Sequence, residues 1–249
     1  EAAVVCPSSA AVYGQARQIP ISETAALNPI SPYGVHKLMA EMHCRMYAQQ
    51  FGARMAILRL FSVYGNGLRK QLLWEACSKF RQGEVLFHGT GNEQRDWLSI
   101  SDAADLLALA CGFASPECPI VNGGTGNGVR VADVIGEIAT SFGRVKDVAF
   151  SGKRREVDPP SYVADISAAR ARGWMPAVSN SMMSTMSPTI RTTWPSIKSC
   201  RTAHVIMSIM RIQNLPHQNV PTCWISFATR EPGSVSSTSV VWGPISFSP

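Results

Sequence analysis

Over its first 178 residues the chain alternates between short apolar runs and longer segments whose apolar positions recur at helical spacing. Residues 2–6 are uniformly apolar, as expected of a strand that is buried on both faces. After a polar loop, a helix is predicted to begin with Ser31 as N-cap and Pro32 at the first helical position, and to end near Gly52. The next elements predicted are a strand over 54–63, a helix over 69–83, a strand over 84–88 and a turn over 89–92. A segment over 95–100 then leads into a helix over 101–113, which Ser101 or Asp102 can cap. The last predicted elements are an apolar segment over 119–126 that ends in a glycine turn, a helix over 130–143 and a strand over 147–152.

Strands and helices that alternate with short connections predict an α/β protein with a largely parallel sheet. The pattern divides the chain into residues 1–63, 64–178 and 179–249. It fails in the third region, where 21 of the 70 residues from 180 to 249 are Ser or Thr. Residues 204–212 could form a short helix or strand there. The composition nevertheless favours an irregular tail, either a flexible extension or an aberrant end, over a packed domain.

Composition narrows the class of protein. With 45% hydrophobic and 16% charged residues, the chain is typical of a globular protein, and it has no apolar run long enough to span a membrane. Its start lacks the pattern of a signal peptide. Seven scattered cysteines without a CxxC motif favour reduced thiols in the cytoplasm over disulfides or a metal site.

The net charge of +6 does not indicate nucleic-acid binding. Residues 1–165 hold 16 Lys and Arg against 16 Asp and Glu, whereas residues 166–249 hold 7 against 1. The excess therefore lies entirely in the last part of the chain. Its basic residues are spread singly, without the cluster that a phosphate-binding surface needs.

The first candidate chemistry lies in the segment SPYGVHK, residues 31–37. Tyr33 and Lys37 are four residues apart at the start of the predicted helix, so their side chains share one face. Ser9 follows a buried strand, at the end where parallel sheets place their chemistry. A free phenol has a pKa near ~10 and is a poor base at neutral pH, but a nearby ammonium group favours the phenolate.

A tyrosine activated in this way can take the proton of a secondary alcohol while a hydride leaves the same carbon. No side chain accepts a hydride, so this chemistry indicates a nicotinamide cofactor. The alternative is a solvated Tyr–Lys pair on an exposed helix. The surrounding motifs weigh against that alternative.

Six segments carry a family resemblance: SSAAVYG, SPYGVHK, LRLFSVYGNG, RDWLSISDAA, VNGGTG and DPPSYVADISAARARGW. In this order, across residues 1–178, they resemble the extended short-chain dehydrogenase/reductase family. Within it they are most similar to the NAD-dependent nucleotide-sugar epimerase/dehydratase group, near UDP-glucose 4-epimerase-like members. The resemblance implies a partial Rossmann-type, doubly wound parallel sheet, with residues 1–63 in the dinucleotide-binding domain and 64–178 completing that sheet and a smaller nucleotide-sugar-binding region.

The resemblance also implies the cofactor and its contacts. NAD is the expected cofactor, and a nucleotide-diphosphate sugar is the expected substrate. Tyr33 would be the catalytic base, Lys37 would hold the nicotinamide ribose and tune Tyr33, and Ser9 would bond the sugar hydroxyl. Ser8 and Phe61 would adjoin the cofactor. A homodimer formed through the Tyr33 helix and the RKQLLWEAC helix would be usual for the family.

On the substrate side, Arg95 would grip the diphosphate, Arg155 would meet a phosphate, and Asp158 would bond the nucleoside ribose. A guanidinium fork suits phosphate oxygens, although Arg95 and Arg155 could also form surface ion pairs. Ser62 would contact substrate at a position where the family often has Asn. A second departure is the segment REVD, in which Val157 replaces the family's Gly.

The implied activity is 4-epimerisation of a nucleotide sugar through a transient keto sugar, in the synthesis of cell-surface polysaccharide precursors. A reductase or a 4,6-dehydratase stays open, although dehydratases have Thr-Asp-Glu where this chain has Ser9-Ala10-Ala11. The glycine-rich dinucleotide fingerprint GxxGxxG is missing, and the glycines of residues 121–128 come too late to replace it. The second hypothesis is therefore an inactive fragment or a substrate-binding remnant of such an enzyme.

For other residues near these motifs the sequence predicts a structural role and no part in the chemistry. His36 is predicted on the helix surface. Tyr13 and Tyr64 are predicted to pack at strand ends. Core packing is predicted for three methionines at near-helical spacing, Met39, Met42 and Met46.

Overall fold

The computed structural model describes residues 2–65, 68–69, 71–144, 147–153 and 158–178, so the predicted tail after residue 178 lies outside it. The strands are β1 (Ala3–Ser9), β2 (Arg54–Leu60), β3 (Ser62–Tyr64), β4 (Leu86–Phe87), β5 (Gln94–Ser99), β6 (Ile120–Gly123), β7 (Gly128–Arg130), β8 (Ala149–Phe150) and β9 (Ser161–Tyr162). The helices are α1 (Pro32–Phe51), α2 (Gln71–Gln82), α3 (Ile100–Phe113), α4 (Val131–Ser141) and α5 (Ser167–Arg170), with a 3-10 turn over Ala10–Tyr13. Among the described helices, none is both long and apolar enough to cross a membrane.

The main sheet is parallel, in the order β1-β2-β6. Ser9 pairs with Leu60, and Leu60 pairs with Gly123, so the three strands reach their carboxyl ends at one edge. Side chains alternate between the two faces of this sheet. The face that holds Val4, Met55 and Ile57 packs on α1, whereas the face that holds Ala56 and Leu58 packs on α3. Helices on both faces of a parallel sheet confirm the predicted α/β, doubly wound class.

A second group of strands lies beyond the main sheet. It has the order β3-β5-β7, with β9 paired to β5, and β4 pairs separately with β8. The single strand predicted over 54–63 is wrong, because the chain leaves the main sheet at Phe61. The Phe61 N–H donates to Gly123 O at 2.9 Å, and Ser62 then pairs with Trp97 of β5.

Local signals defined α1 correctly and α3 only in part. The Ser31 side chain accepts a hydrogen bond from Gly34 N at 3.1 Å, Pro32 follows it, and Gly52 ends the helix at φ 63°. The cap of α3 is Ser99, which accepts from Asp102 N at 3.0 Å, and not Ser101 or Asp102 as predicted. Asp102 turns its carboxylate inward because it accepts the backbone N–H groups of residues 177 and 178.

The core packing predicted for the α1 methionines is wrong. Met39, Met42 and Met46 are 49%, 63% and 39% exposed. The helix face that packs on the sheet instead carries small or polar residues, among them Glu41 and Cys44. Spacing alone could not tell the two faces apart, because both repeat at helical period. His36 is exposed as predicted, and Tyr13 and Tyr64 are buried.

Gly34 allows α1 to approach the 3-10 turn closely. A Cβ at this position would lie 2.6 Å from Ala11 O and 2.9 Å from Pro29 Cβ. We expect Gly34→Ala to lower the free energy of unfolding by ~1–3 kcal/mol, because backbone must move to accept the methyl group. Urea titration measures this change.

Gly136 is the matched control, since it lies inside α4 and a Cβ there would meet nothing within 4 Å. Gly136→Ala should raise the free energy of unfolding by ~0.5–1 kcal/mol, as expected for alanine in a helix interior. If both variants behaved alike, the close approach of α1 at Gly34 would not limit stability.

Candidate active site

A cleft of about 650 Å³ opens at the carboxyl ends of β1 and β2, beside the first turn of α1. The cleft brings together every candidate site residue that the structure describes. These are Ser8, Ser9, Tyr33, Lys37, Phe61, Ser62, Arg95 and Asp158. The other candidate, Arg155, lies outside the described residues.

Tyr33 and Lys37 occupy one wall of the cleft. Tyr33 is 40% exposed, and Lys37 Nζ lies 5.8 Å from the centroid of its ring. Lys37 Nζ also donates to Pro7 O at 2.8 Å, which holds the ammonium group against the end of β1. The helix therefore presents a phenol to the cleft, with a cation fixed close to it.

Ser9 faces the same space from the end of β1. Its Oγ accepts a hydrogen bond from Ala11 N at 3.2 Å and so caps the 3-10 turn. That bond uses a lone pair of the oxygen, so the hydroxyl hydrogen stays able to donate to a ligand. Ser9, Tyr33 and Lys37 thus form a hydroxyl, phenol and ammonium set on one cleft wall.

Ser8 and Phe61 line the cleft without directing a polar side-chain group into it. The Ser8 hydroxyl donates to Glu41 Oε1, and the residue is only 4% exposed. Phe61 is 7% exposed and meets the ring of Tyr162 edge-on, with 6.4 Å between the ring centroids. The Ser8 hydroxyl is therefore directed into the protein, while Phe61 forms an apolar surface between the two ends of the cleft.

Arg95 and Asp158 meet at the opposite end of the cleft. They form an ion pair in which the Arg95 side chain is 11% exposed and the Asp158 side chain 49%. The Arg95 guanidinium lies 5.6 Å from the centroid of the Tyr162 ring. An ion pair, the alternative considered for Arg95, is therefore present, but the Arg95 side chain is mostly buried in the wall of the cleft. Ser62 lies on β3, whose partner β5 carries Arg95.

Sequence reasoning missed an ion pair buried beside the site. Arg59 and Glu41 are 1% and 2% exposed, and Arg59 Nη2 lies 2.7 Å from Glu41 Oε2. Two signals pointed to it: a lone arginine inside the apolar run MAILRLF, and a glutamate one turn beyond Lys37. A charge inside a buried strand needs a partner of opposite sign.

The buried carboxylate of Asp96 holds the glycine turn after β6 in place. Asp96 is fully buried, and burial raises its pKa. It accepts hydrogen bonds from Thr125 N at 2.6 Å, Gly126 N at 2.9 Å and Ala164 N at 3.1 Å. These bonds tie the turn and the segment that follows β9 to β5. The acidic residue of RDW is therefore structural, while its arginine faces the cleft.

The parallel sheet, with the Tyr33–Lys37 pair in a cleft at its carboxyl edge, defines a Rossmann-type α/β protein. Residues 1–122 match the model of the NAD dependent epimerase/dehydratase family. Over these residues the chain belongs to that family, which confirms the resemblance in its motifs.

Three comparisons illustrate the relationship. The chain is 34% identical to an uncharacterized UDP-glucose epimerase, YtcB, of Bacillus subtilis over 67% of the chain and 52% of the relative. It is 34% identical to a UDP-glucose 4-epimerase of Azospirillum brasilense over 70% of the chain and 56% of the relative. The structure of MoeE5 in complex with UDP-glucose and NAD superposes with a TM-score of 0.65 at 31% identity, covering 73% of this chain and 62% of that one. The chain spans about half the length of the two curated relatives.

The described residues fit one part of an NAD molecule. Tyr33, Lys37 and Ser9 offer polar groups of the kind that a nicotinamide ribose and its reaction partner need, and Phe61 offers an apolar wall. The GxxGxxG fingerprint that would cradle the pyrophosphate does not occur in the sequence.

Two tyrosines, Tyr162 in the cleft wall and Tyr13 in the protein interior, make stability sensitive to alkali. Burial raises the pKa of Tyr13 and that of Tyr162 to about 12, above the ~10 of an unfolded phenol. The unfolded chain therefore loses these protons first, and the stability they contribute is complete below pH ~10 and is lost as the pH rises through about 12. We expect Tyr162→Phe to reduce this fall, as measured by urea unfolding at several values between pH 8 and pH 12. An equally steep fall in the variant would contradict the assignment to Tyr162.

Proposed function

We propose that this chain provides the acid–base centre and the nucleotide-sugar site of an NAD-dependent nucleotide-sugar 4-epimerase. The observation that carries the proposal is the meeting of Ser9, Tyr33 and Lys37 in one cleft whose other end holds Arg95 and Asp158. The named UDP-glucose 4-epimerase relative and the complex of MoeE5 with UDP-glucose and NAD support the substrate class and the cofactor.

The residues divide the chemistry between them. Tyr33 takes the proton from the sugar hydroxyl, and Lys37 stabilises the phenolate that does so. Ser9 donates a hydrogen bond to the same sugar oxygen. When bound, NAD supplies the hydride acceptor that no side chain can replace. After the sugar has turned in the cleft, its carbon regains the hydride on the opposite face and Tyr33 returns the proton to the oxygen.

The far end of the cleft suits a nucleoside diphosphate. Arg95 carries five N–H donors, and its mostly buried position strengthens charge-assisted bonds to phosphate oxygens. Asp158, whose side chain is 49% exposed, can accept from ribose hydroxyls. Ser62 also lines the cleft, so its hydroxyl can contact the sugar.

The residues after Ser9 favour epimerisation over dehydration. Elimination of water needs an acid and a base beside the keto sugar, and Ala10 and Ala11 offer neither. The carboxylates among the described cleft residues are Glu75, Glu93 and Asp158. Glu75 is paired with Lys79 on α2, Glu93 is bound to Thr90, and Asp158 is bound to Arg95, so each of the three carboxylates already has a partner of its own.

Tyr33→Phe tests the proposal directly. We expect the variant to lower kcat for interconversion of UDP-glucose and UDP-galactose in the presence of NAD by ~10²–10⁴-fold, the usual contribution of a general base. The dissociation constant for UDP-glucose, measured by calorimetry, should stay within about threefold because the ring remains.

Tyr47→Phe is the matched control, since Tyr47 also lies on α1 but outside the cleft. It should keep full turnover. Retained turnover in Tyr33→Phe would remove Tyr33 from the role of base. UDP-glucose binding by the unaltered chain without any turnover would favour the second hypothesis, a substrate-binding remnant.

We further propose that the chain forms a homodimer through α1. Val35, Met39, Met42 and Met46 follow the spacing of a helix-pairing seam, and all are exposed. A contiguous apolar stripe on an exposed helix marks an interaction surface. Across a two-fold axis this helix face can pack against the same face of a second copy without any other surface, so a symmetric dimer is the simplest way to cover it.

Free cysteines among the described residues support the cytoplasm as the compartment.

Charge in this stripe should separate the subunits. Met39→Lys combined with Met42→Lys should raise the dimer dissociation constant at least ~10-fold, because like charges then face each other across the axis. Sedimentation velocity at several protein concentrations measures it. Leu86→Lys, at a residue 58% exposed on β4, is the control and should not change the association state. A monomer in the unaltered chain would contradict the proposal.

A further inference from the structure

A row of polar residues crosses the main sheet directly behind the candidate site. Ser8 of β1 pairs with Arg59 of β2, and Arg59 pairs with Asn122 of β6. These side chains point to the α1 face, and all are 4% exposed or less. Polar side chains in this position are costly to bury unless each finds a partner.

Glu41 of α1 provides that partner. It accepts from Arg59 Nε at 3.0 Å and from Arg59 Nη2 at 2.7 Å, and its Oε1 also accepts the Ser8 hydroxyl. The remaining nitrogen, Arg59 Nη1, donates to Tyr13 OH at 3.1 Å, and Tyr13 donates to Asn122 Oδ1 at 2.7 Å. One carboxylate therefore joins the helix to two strands and, through Arg59, to the 3-10 turn.

The position of Glu41 gives this network a consequence for chemistry. Tyr33, Lys37 and Glu41 lie in one row of α1, each four residues after the last. The first two reach the cleft, and the third is fixed in the sheet. Ser8, which is held by Glu41, directly precedes Ser9. The same carboxylate thus fixes the helix that carries Tyr33 and the strand end that carries Ser9.

We propose that Glu41 is a positioning residue, which through Arg59 and Ser8 sets the placement of Tyr33 and Lys37 relative to Ser9. The role rests on the proposed function for its catalytic meaning, because placement matters only if these three side chains act on one substrate. The guanidinium of Arg59 binds the Glu41 carboxylate through two of its nitrogens. This bidentate pair prevents α1 from sliding along the sheet, which a purely apolar helix–sheet contact would permit. Reacting groups misplaced by about 1 Å cost ~10²-fold in rate.

The test follows Tyr33 itself. The full chain is labelled with ¹³C at tyrosine Cζ, and the Tyr33 signal is assigned by its loss in Tyr33→Phe. Glu41→Gln keeps the size of the side chain but sets an amide against the Arg59 fork. We expect it to move or broaden the Tyr33 signal and to lower kcat by ~10–100-fold, with KM for UDP-glucose changed less than about threefold. Asp133→Asn removes the same charge from an exposed pair with Arg130 and should leave the signal and kcat unchanged.

The two readouts separate the inference from the proposed function. Turnover retained by Tyr33→Phe, or none in the unaltered chain, overturns the proposed function, while the NMR comparison still decides the positioning. A folded Glu41→Gln with an unchanged Tyr33 signal and kcat overturns the positioning role, as does lower stability with an unchanged signal. If Glu41→Gln does not fold, Ser8→Ala removes one bond of the network. It should displace the Tyr33 signal to a smaller extent, and an unaltered signal overturns the proposal.

Discussion

The burial of two opposite charges, Glu41 and Arg59, is the constraint on which the architecture around the cleft depends. A guanidinium inside a parallel sheet is tolerated only with a carboxylate at bonding distance, and removal of either partner would leave the other charge unpaired at high cost. The partner comes from a helix, so the pair fixes how α1 lies along the sheet. An apolar contact of the same area would allow several registers, whereas the bidentate pair allows one. The 3-10 turn follows, because Arg59 also binds Tyr13.

Sequence signals predicted the features that depend on a few neighbouring residues. Ser31, Pro32 and Gly52 define α1 within its own segment, and the apolar run of β1 needs no knowledge of its neighbours. The end of β2 at Leu60 could not be found in this way, since the residues that follow it pair with β5, more than 30 positions further along the chain. The cap of α3 was assigned wrongly for the same reason. Asp102 resembles a cap, but it binds the backbone of residues 177 and 178 instead.

The same division applies to the site. The spacing of Tyr33 and Lys37 is local, so a shared helix face could be predicted from the sequence, and the family motifs added Ser9 and Arg95. That Ser8 would turn away from the cleft could not be predicted, because its partner Glu41 lies 33 residues further along the chain. The exposure of the α1 methionines also depends on tertiary structure. Helical period identifies two faces, and only the buried ion pair shows which one meets the sheet.

Side chains that line the cleft are largely distinct from those that hold it in shape. Glu41, Arg59 and Asp96 are buried and saturated with hydrogen bonds, whereas Ser9 and Tyr33 line the cleft. Ser62 shows the consequence: β3 pairs with β5 through backbone groups, so a serine can stand where the family often has asparagine without disturbing the strand. Changes in substrate preference can therefore accumulate on the cleft wall while the polar row behind it keeps the acid–base residues in place. Ser8 of the polar row and Ser9 of the wall are adjacent residues on one strand, so at this strand end a change in substrate contact would also alter catalytic geometry.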